Sequence, residues 1–284
     1  MKIGVSSYSF HSYMDKTGAD VFKIIDKAKE IGFDAIEFIS VYAPEGKDQI
    51  EQAKEIKAYC DDKGLPISAY TIWADLLNDQ EASVDRLINT ELKITQALGA
   101  PLMRHDVTGG FNKGIKHGRG FDDCLPVVVP AIRKVTEAAQ EMGIRTMSEN
   151  HGFFCQDSDR VEKLLNTVNH DNYGLLLDMG NFLCADDDPA VAVGKLAPYA
   201  FHVHAKDFFI RDGERSDPGD GWFRTRGGKY IRGTIVGQGV VPLDICVKTI
   251  MDSGYDGIFS IEFEGCEDNI FALEAGLKNL RKRF

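Results

Sequence analysis

Short runs of β-branched and aliphatic residues alternate with longer amphipathic stretches from one end of the chain to the other. That alternation predicts repeated strand–helix units and a parallel sheet. The apolar runs place strands at Ile3 to Val5, Ala35 to Phe38, Ile67 to Tyr70, Leu102 to His105, Arg145 to Glu149, Tyr173 to Asp178, Ala200 to His204 and Gly257 to Glu262. Helical spacing fills the intervals over Asp20 to Ile31, Asp48 to Lys63, Glu81 to Leu98, Asp123 to Met142, Ser158 to Val168, Pro189 to Leu196 and Leu243 to Ser253, and Glu267 to Arg281 closes the chain. A glycine punctuates most of these helices, as in EIGFDAI, DKGLPI, ALGAPL, EMGIRT and DSGYDGI, where it can end the helix and release the next strand. The run Asp186 to Asp188 before Pro189 reads as a helix start, and the basic tail KNLRKRF as the favourably charged end of the last helix.

Eight strands, each with a helix after it, predict one α/β domain, a (β/α)8 TIM barrel spanning residues 1–284. An open doubly wound sheet is the alternative, but no G-x-G-x-x-G follows the first strand, and nothing in that architecture stops at eight units. Two segments break the rhythm. Residues 208–241, rich in Gly, Arg and Asp, are too long for a simple connection and read as a lid over the C-terminal face. The loop from Asp106 to Asp122, with paired glycines and basic residues, belongs to the same face.

With 43% hydrophobic and 27% charged residues the chain has the composition of a globular protein with a large core. Its formal net charge of -11 sets it against polyanions and acidic membrane faces, so no nucleic-acid partner is expected. No apolar run approaches the ~20 residues of a membrane helix, and MKIGVSSYSF does not read as a signal peptide, so a cytoplasmic protein is expected. Six cysteines are scattered without a C-x-x-C pair and read as reduced packing residues rather than a thiolate metal site.

The sharpest chemical signal is positional. Four late strands each finish in a potential metal ligand: TMSENHG at Glu149, LLLDMGN at Asp178, FHVHAKD at His204 and FSIEFEG at Glu262. Barrel strands end at the mouth, so three carboxylates and one imidazole would converge there. One acidic residue at a strand end more often caps the next helix; four strands in succession point to a divalent ion. The oxygen-rich donor set suits Mn2+ first, with Mg2+, Co2+ or Zn2+ as alternatives.

With these motifs the chain resembles the sugar isomerase/epimerase superfamily of xylose-isomerase-like barrels. The resemblance covers the whole chain and rests on E-N-H-G at Glu149 to Gly152, L-D-M-G-N at Leu177 to Asn181, H-V-H-A-K-D at His202 to Asp207, G-Q-G at Gly237 to Gly239 and S-I-E-F-E-G at Ser260 to Gly265. It implies that Glu149, Asp178, His204 and Glu262 bind a catalytic divalent ion. It also implies a sugar or sugar-phosphate substrate, isomerised or epimerised by proton transfer through a metal-stabilised enediolate, with Glu149 and Glu262 as the proton-transfer pair. Relatives are often dimers or tetramers, so a homo-oligomer is expected. The chain departs from the better-known ketose epimerases at Asn181, where they carry a histidine, and at Cys155, where they carry an acidic residue. Those departures keep a second reading open, a metal-dependent lyase that cleaves a 3-oxo-glycoside or dehydrates a keto sugar. An apurinic endonuclease of the same fold needs a histidine-rich zinc cluster, and seven histidines with a net charge of -11 count against it. A catalytically dead binding subunit fits poorly with an intact ligand set.

Several neighbours of the ligand set are candidates in their own right. Period-two geometry points His151 the same way as Glu149, as an acid–base group or a hydroxyl ligand, against the alternative of simple packing. His202 lies one layer deeper than His204 and reads as its hydrogen-bonded support. Lys206 is a candidate for binding a substrate oxygen, with Asp207 beside it as a cap. Arg104 and His105 end the fourth strand as substrate-binding candidates, with a structural ion pair as the other reading of Arg104, and Asn181 and Trp73 complete the set. Tyr8, Phe10, Trp73 and Trp222 are candidates for an apolar wall, core packing being the alternative. The lid cations Arg211, Arg215, Arg224, Arg226, Lys229 and Arg232 offer either a phosphate site or a solvated surface.

Overall fold

In the computed structural model, which describes residues 1–214 and 216–284, eight strands run parallel and close on themselves. In chain order the strands are β1 (Lys2–Ser6), β2 (Ala35–Ile39), β3 (Ile67–Ile72), β4 (Leu102–His105), β5 (Arg145–Glu149), β6 (Tyr173–Asp178), β7 (Ala200–Ala205), β8 (Asp207–Arg211), β9 (Phe223–Arg224), β10 (Tyr230–Thr234) and β11 (Ile258–Ile261). The barrel order is β1-β11-β7-β6-β5-β4-β3-β2, while β8, β10 and β9 form a separate antiparallel sheet. The expected barrel is therefore present. The segment read as a loop is instead a β-ribbon rising from β7, in which Phe208 and Ile231 turn inward to full burial. Arg215 lies outside the described residues.

The helices pack around the barrel at Val21–Ile31, Gln49–Lys63, Phe121–Glu141, Ser158–Val168, Pro189–Leu196, Leu243–Asp252 and Asn269–Arg281. A short helix at His11–Thr17, with few apolar positions to announce it, adds to the predicted set. The interval predicted as one helix over 81–98 is continuous but contains a π-turn, Leu87–Glu91. There the buried Glu91 carboxylate takes Tyr70 Oη at 2.9 Å and Arg86 at 2.5 Å. The glycine stops behave as the sequence predicts, with Gly32 and Gly64 ending their helices at φ of 100° and 60°.

Period-two alternation decides what fills the barrel. Ala69, Met147 and Leu176, with Leu102 and Phe201, form an apolar plug in the lower interior. Two residues farther along β4, β5 and β6 come Arg104, Glu149 and Asp178. The same face of each strand thus passes from hydrocarbon to charge as it nears the mouth. Across the β6–β7 register Leu176 pairs with His202 and Asp178 with His204. A polar layer therefore rests on a dry floor.

Asp207 is the anchor of the lid. Its Oδ2 accepts from the backbone N–H groups of Gly237 and Gly239 at 2.9 and 2.8 Å, and its Oδ1 from Phe208 and Val241 at 2.9 and 3.0 Å. The G-Q-G motif is thus a turn wrapped round a carboxylate, and Gly239 has no room for a Cβ, which would fall 2.2 Å from Asp207 Oδ1. Asp207→Ala would strand those donors and is expected to cost at least about 2–3 kcal/mol. The checks are urea unfolding and protease nicking within 208–241. An unchanged midpoint with no new cleavage would refute the anchoring role.

Candidate active site

The layer above the plug brings Glu149, Asp178, His204 and Glu262 together, with one potential ligand atom from each lying within 4.8 Å of the others. Around His204 Nδ1 stand Glu262 Oε2 at 3.4 Å, Asp178 Oδ2 at 3.8 Å and Glu149 Oε1 at 3.9 Å. Ligand atoms each about 2.0–2.2 Å from one ion would be separated by distances of this order.

Local hydrogen bonds set these positions. Asn150 donates its side-chain amide to Asp178 O and accepts from Asp178 N, both at 2.9 Å, fastening the end of β5 to the end of β6. Asp178 Oδ1 accepts from Gly180 N and Asn181 N at 2.8 and 3.0 Å, which turns Oδ2 toward the cluster. Gly180 is required there because a Cβ would sit 2.7 Å from the Lys206 carbonyl oxygen. Asn181 Nδ2 donates to Glu149 Oε1 at 2.9 Å while its Oδ1 accepts from Lys206 at 3.2 Å.

The donor set passes a test of fit for a divalent ion. His204 Nδ1 is buried and has no hydrogen-bond partner, a costly state for a polar atom unless something else satisfies it, and Asp178 Oδ2 beside it is met only by the Lys206 ammonium at 3.2 Å. The charges point the same way. Among the described residues, Glu37, Asp106, Glu149, Asp178, Glu262 and Glu264 crowd this end of the barrel against only Arg104 and Lys206. Burial opposes charge on the His204 ring, yet Glu37 and Glu262 raise its pKa well above the usual value, the response of a field short of positive charge. Among the described residues, no cysteine belongs to a cluster suited to a metal, and Cys60, Cys124, Cys155, Cys184 and Cys246 are buried.

Lys206, 2% exposed, puts Nζ 2.5 Å from Glu262 Oε2 and 3.2 Å from both Asp178 Oδ2 and Glu264 Oε1. Burial alone would raise the Glu262 carboxyl, but Lys206 and His204 hold it well below the usual carboxylate range. Glu149 goes the other way: burial, with Glu262 adding to it, lifts its pKa despite Arg104. Arg104 Nη2 lies 2.6 Å from Glu149 Oε2 and 2.7 Å from Asp106 Oδ1, so the ion-pair reading of this arginine describes it. Asp106 also meets His151 Nδ1 at 3.0 Å. Burial works to lower the His151 pKa, and the Asp106 hydrogen bond together with the Glu149 charge more than offsets it. His151 is followed by Gly152 at φ 80° and Phe153 at φ 65°, and left-handed backbone at a bulky residue marks a tightly constrained turn.

Beside the cluster lies a cavity of about 270 Å3 lined by His151, Gly152, Phe153, Gln156, Asn181, Cys184, Phe223 and Glu264. Phe223 comes from the lid. The lid strand β10 passes so close to the backbone of Glu264 that a Cβ on Gly233 would sit 2.6 Å from the Glu264 carbonyl oxygen.

The structure does not bring every candidate here. His105 alternates with Arg104 and so faces the helical shell, fully buried and stacked on Tyr173, where burial depresses its pKa to about 4. Its assignment to substrate binding is corrected on that ground. Phe10 is core rather than wall. Trp73 is 63% exposed beyond β3, and Trp222 lies between Arg211 and Arg232 on the lid. The other described lid cations are locally engaged: Arg224 with Gly228 O and Tyr230 Oη, Arg226 with Asp157, and Lys229 with Asp186 at 3.6 Å. None of the described lid cations lines the cavity.

Sequence reasoning missed Glu37, Asp106, Asn150 and Glu264. Glu264 had a readable signal, standing two residues after Glu262 and therefore in phase with it. Glu37 had one too, as the lone charge in the apolar run AIEFI.

The model of the xylose isomerase-like TIM barrel family matches residues 25–283. A curated inosose dehydratase from Lacticaseibacillus casei is 22% identical over 229 residues, covering 77% of this chain and 76% of its own. Among solved structures, the probable 3-DHS dehydratase of petrobactin synthesis from Bacillus anthracis superposes with a TM-score of 0.75 at 20% identity, covering all of both chains. D-psicose 3-epimerase from Clostridium cellulolyticum H10 superposes with a TM-score of 0.75 at 16% identity over 99% of each chain. Those relatives are enzymes, of both the eliminating and the epimerising kind. No helix among the described residues is long and apolar enough to cross a membrane. By the extent of the family match and the closed eight-stranded barrel, this chain belongs to the xylose isomerase-like TIM barrel family.

Proposed function

We propose that this chain is a divalent-metal-dependent lyase that removes water from a neutral polyol ketone of monosaccharide or cyclitol size. The observation that carries the proposal is the Asp106–His151 pair, in which His151 stands in the wall of the cavity and Asp106 holds its Nδ1 at 3.0 Å. Proton transfer between two carboxylates has no use for such a pair, whereas departure of a hydroxyl needs an acid at that place.

Glu149, Asp178, His204 and Glu262 would hold the ion, Mn2+ or Mg2+ being suited to three oxygens and one nitrogen. When bound, it polarises the substrate carbonyl and acidifies the neighbouring C–H. Glu149, with its raised basicity, takes that proton. His151, its Nδ1 held by Asp106, supplies a proton to the hydroxyl on the next carbon, which leaves as water as the carbon–carbon double bond forms. One C–H and one C–O bond break, and the proton and hydroxyl account for the water lost. The cavity is small, and among the described residues its walls present no lysine or arginine, which favours a neutral substrate over a phosphorylated one.

Epimerisation or isomerisation is the second reading, favoured by one specific observation: Glu149 is raised and Glu262 lowered, so the environment separates an acid from a base. Incubation of the Mn2+-loaded protein in D2O with ketoses, cyclitol ketones and 3-oxo-glycosides, read by mass and NMR, decides between them. Loss of one water supports the lyase. Deuterium beside the carbonyl in a product of otherwise unchanged mass would sink it in favour of the isomerase. His151→Gln is expected to lower turnover about 10²- to 10⁴-fold while leaving metal affinity intact.

A further inference from the structure

Glu37, in the middle of β2, is fully buried, and its two carboxylate oxygens each meet one imidazole. Oε1 lies 2.6 Å from Nε2 of His204, and Oε2 lies 2.6 Å from Nε2 of His202. Among the described residues it has no other ion-pair partner. The barrel order places β1 and β11 between β2 and β7, so this side chain reaches across the interior to a strand that is not its neighbour.

An ionised carboxylate only accepts hydrogen bonds, so each Nε2 facing it must carry the hydrogen. A neutral His204 protonated at Nε2 has its lone pair on Nδ1, the atom that is buried without a hydrogen bond among three carboxylate oxygens. We propose that Glu37 is a positioning residue that fixes His204 in the Nε2–H tautomer and thereby presents Nδ1 to the divalent ion. His202 holds the far oxygen at 2.6 Å and so fixes the carboxylate between the two imidazoles. The inference rests on the metal reading above, and adds to it which ring nitrogen binds and which residue decides this.

The geometry leaves little tolerance. Aspartate is shorter by one carbon–carbon bond, about 1.5 Å, and cannot keep both contacts. Glutamine offers one acceptor and one donor. Turned one way, it still accepts from His204. Turned the other, its amide donates to Nε2, which moves the ring hydrogen to Nδ1 and blocks the ion.

Mn2+ titration calorimetry on the metal-stripped native protein, Glu37→Gln and Glu37→Asp tests this without an activity assay. Both variants are expected to bind Mn2+ about 10- to 100-fold more weakly. A residue that merely fills space would lower the melting temperature of the metal-free protein and leave the affinity of the folded fraction unchanged. A second measurement needs no variant in the sample of interest: two-bond 1H–15N correlation spectra of the Zn2+-loaded native protein, with the ring assigned by its loss in His204→Asn. They should show His204 bound through Nδ1 with hydrogen on Nε2. Coordination through Nε2, or a Glu37→Gln affinity within twofold of native, overturns the inference. A native protein that binds no Mn2+ would instead bring down the metal reading itself, which keeps the two failures apart.

Discussion

Glu149→Gln is expected to lower kcat/KM by at least about 10³-fold, because the proposed reaction uses this one side chain both as proton acceptor and as metal ligand. The amide cannot take up a proton, and it replaces an anionic donor by a neutral one, so metal affinity falls as well. Arg104 would lose one of the two carboxylates it now spans at 2.6 and 2.7 Å. Measuring kcat/KM at saturating Mn2+ separates the two losses: raising the metal restores whatever part comes from weak binding and leaves the proton-transfer defect. A variant that recovers native turnover at high Mn2+ would remove Glu149 from proton transfer and leave it a ligand only. Asp178→Asn makes the contrast, since Asp178 Oδ1 is committed to Gly180 N and Asn181 N and only Oδ2 faces the cluster. Its defect should be recovered by added metal to a much larger extent.

Lys206→Met should be the most destabilising single change in the site. The ammonium is buried among Asp178, Glu262 and Glu264, and removing one partner of a buried charge cluster costs about 3–5 kcal/mol because the remaining charges lose their compensation. Methionine fills much of the volume, so a cavity does not account for the loss. Urea unfolding in EDTA gives the size of the effect, and the slope should stay close to native if only stability changes. Added Mn2+ should return part of the stability, since a cation bound to the same carboxylates partly replaces the missing one. A loss below about 1 kcal/mol would mean that these carboxylates take up protons on folding rather than depend on the lysine.

The barrel and the clustering of Glu149, Asp178, His204 and Glu262 were legible for one reason. Parallel strands buried on both faces are continuous apolar runs, and a charge that ends such a run stands out. Glu149 and Asp178 close their strands, and Glu262 follows the last residue of β11. Glu37 and Asp106 were harder to see, because one lies inside a strand and the other just past a strand end already occupied by Arg104 and His105. Their importance comes from contacts across the barrel, 167 residues away for Glu37 and His204, which no local pattern encodes. His105 was misplaced because alternation within a four-residue strand, Leu102–His105, was outweighed by its nearness to the mouth. The lid strands were hidden because glycine and arginine dilute the alternation of Phe208, Ile210 and Ile231. The π-turn over Leu87–Glu91 was unreadable because one wide turn shifts the apolar spacing by only a single residue within an otherwise helical pattern.

The separation between floor, charge layer and wall bears on how such an enzyme acquires a new substrate. Charge sits on strand ends above the Ala69, Met147 and Leu176 plug, whereas Phe153, Gln156 and Phe223, which shape the cavity, sit on connections outside the barrel ladder. Variation in those connections changes what fits without disturbing the charge layer on the strand ends. Phe223 in particular can drift at little cost to the fold, since it is 38% exposed at the edge of a two-residue strand. A library confined to Phe153, Gln156 and Phe223 would therefore sample specificity while leaving His151 and the charge layer untouched, so a change of substrate on this scaffold need not pass through an inactive intermediate.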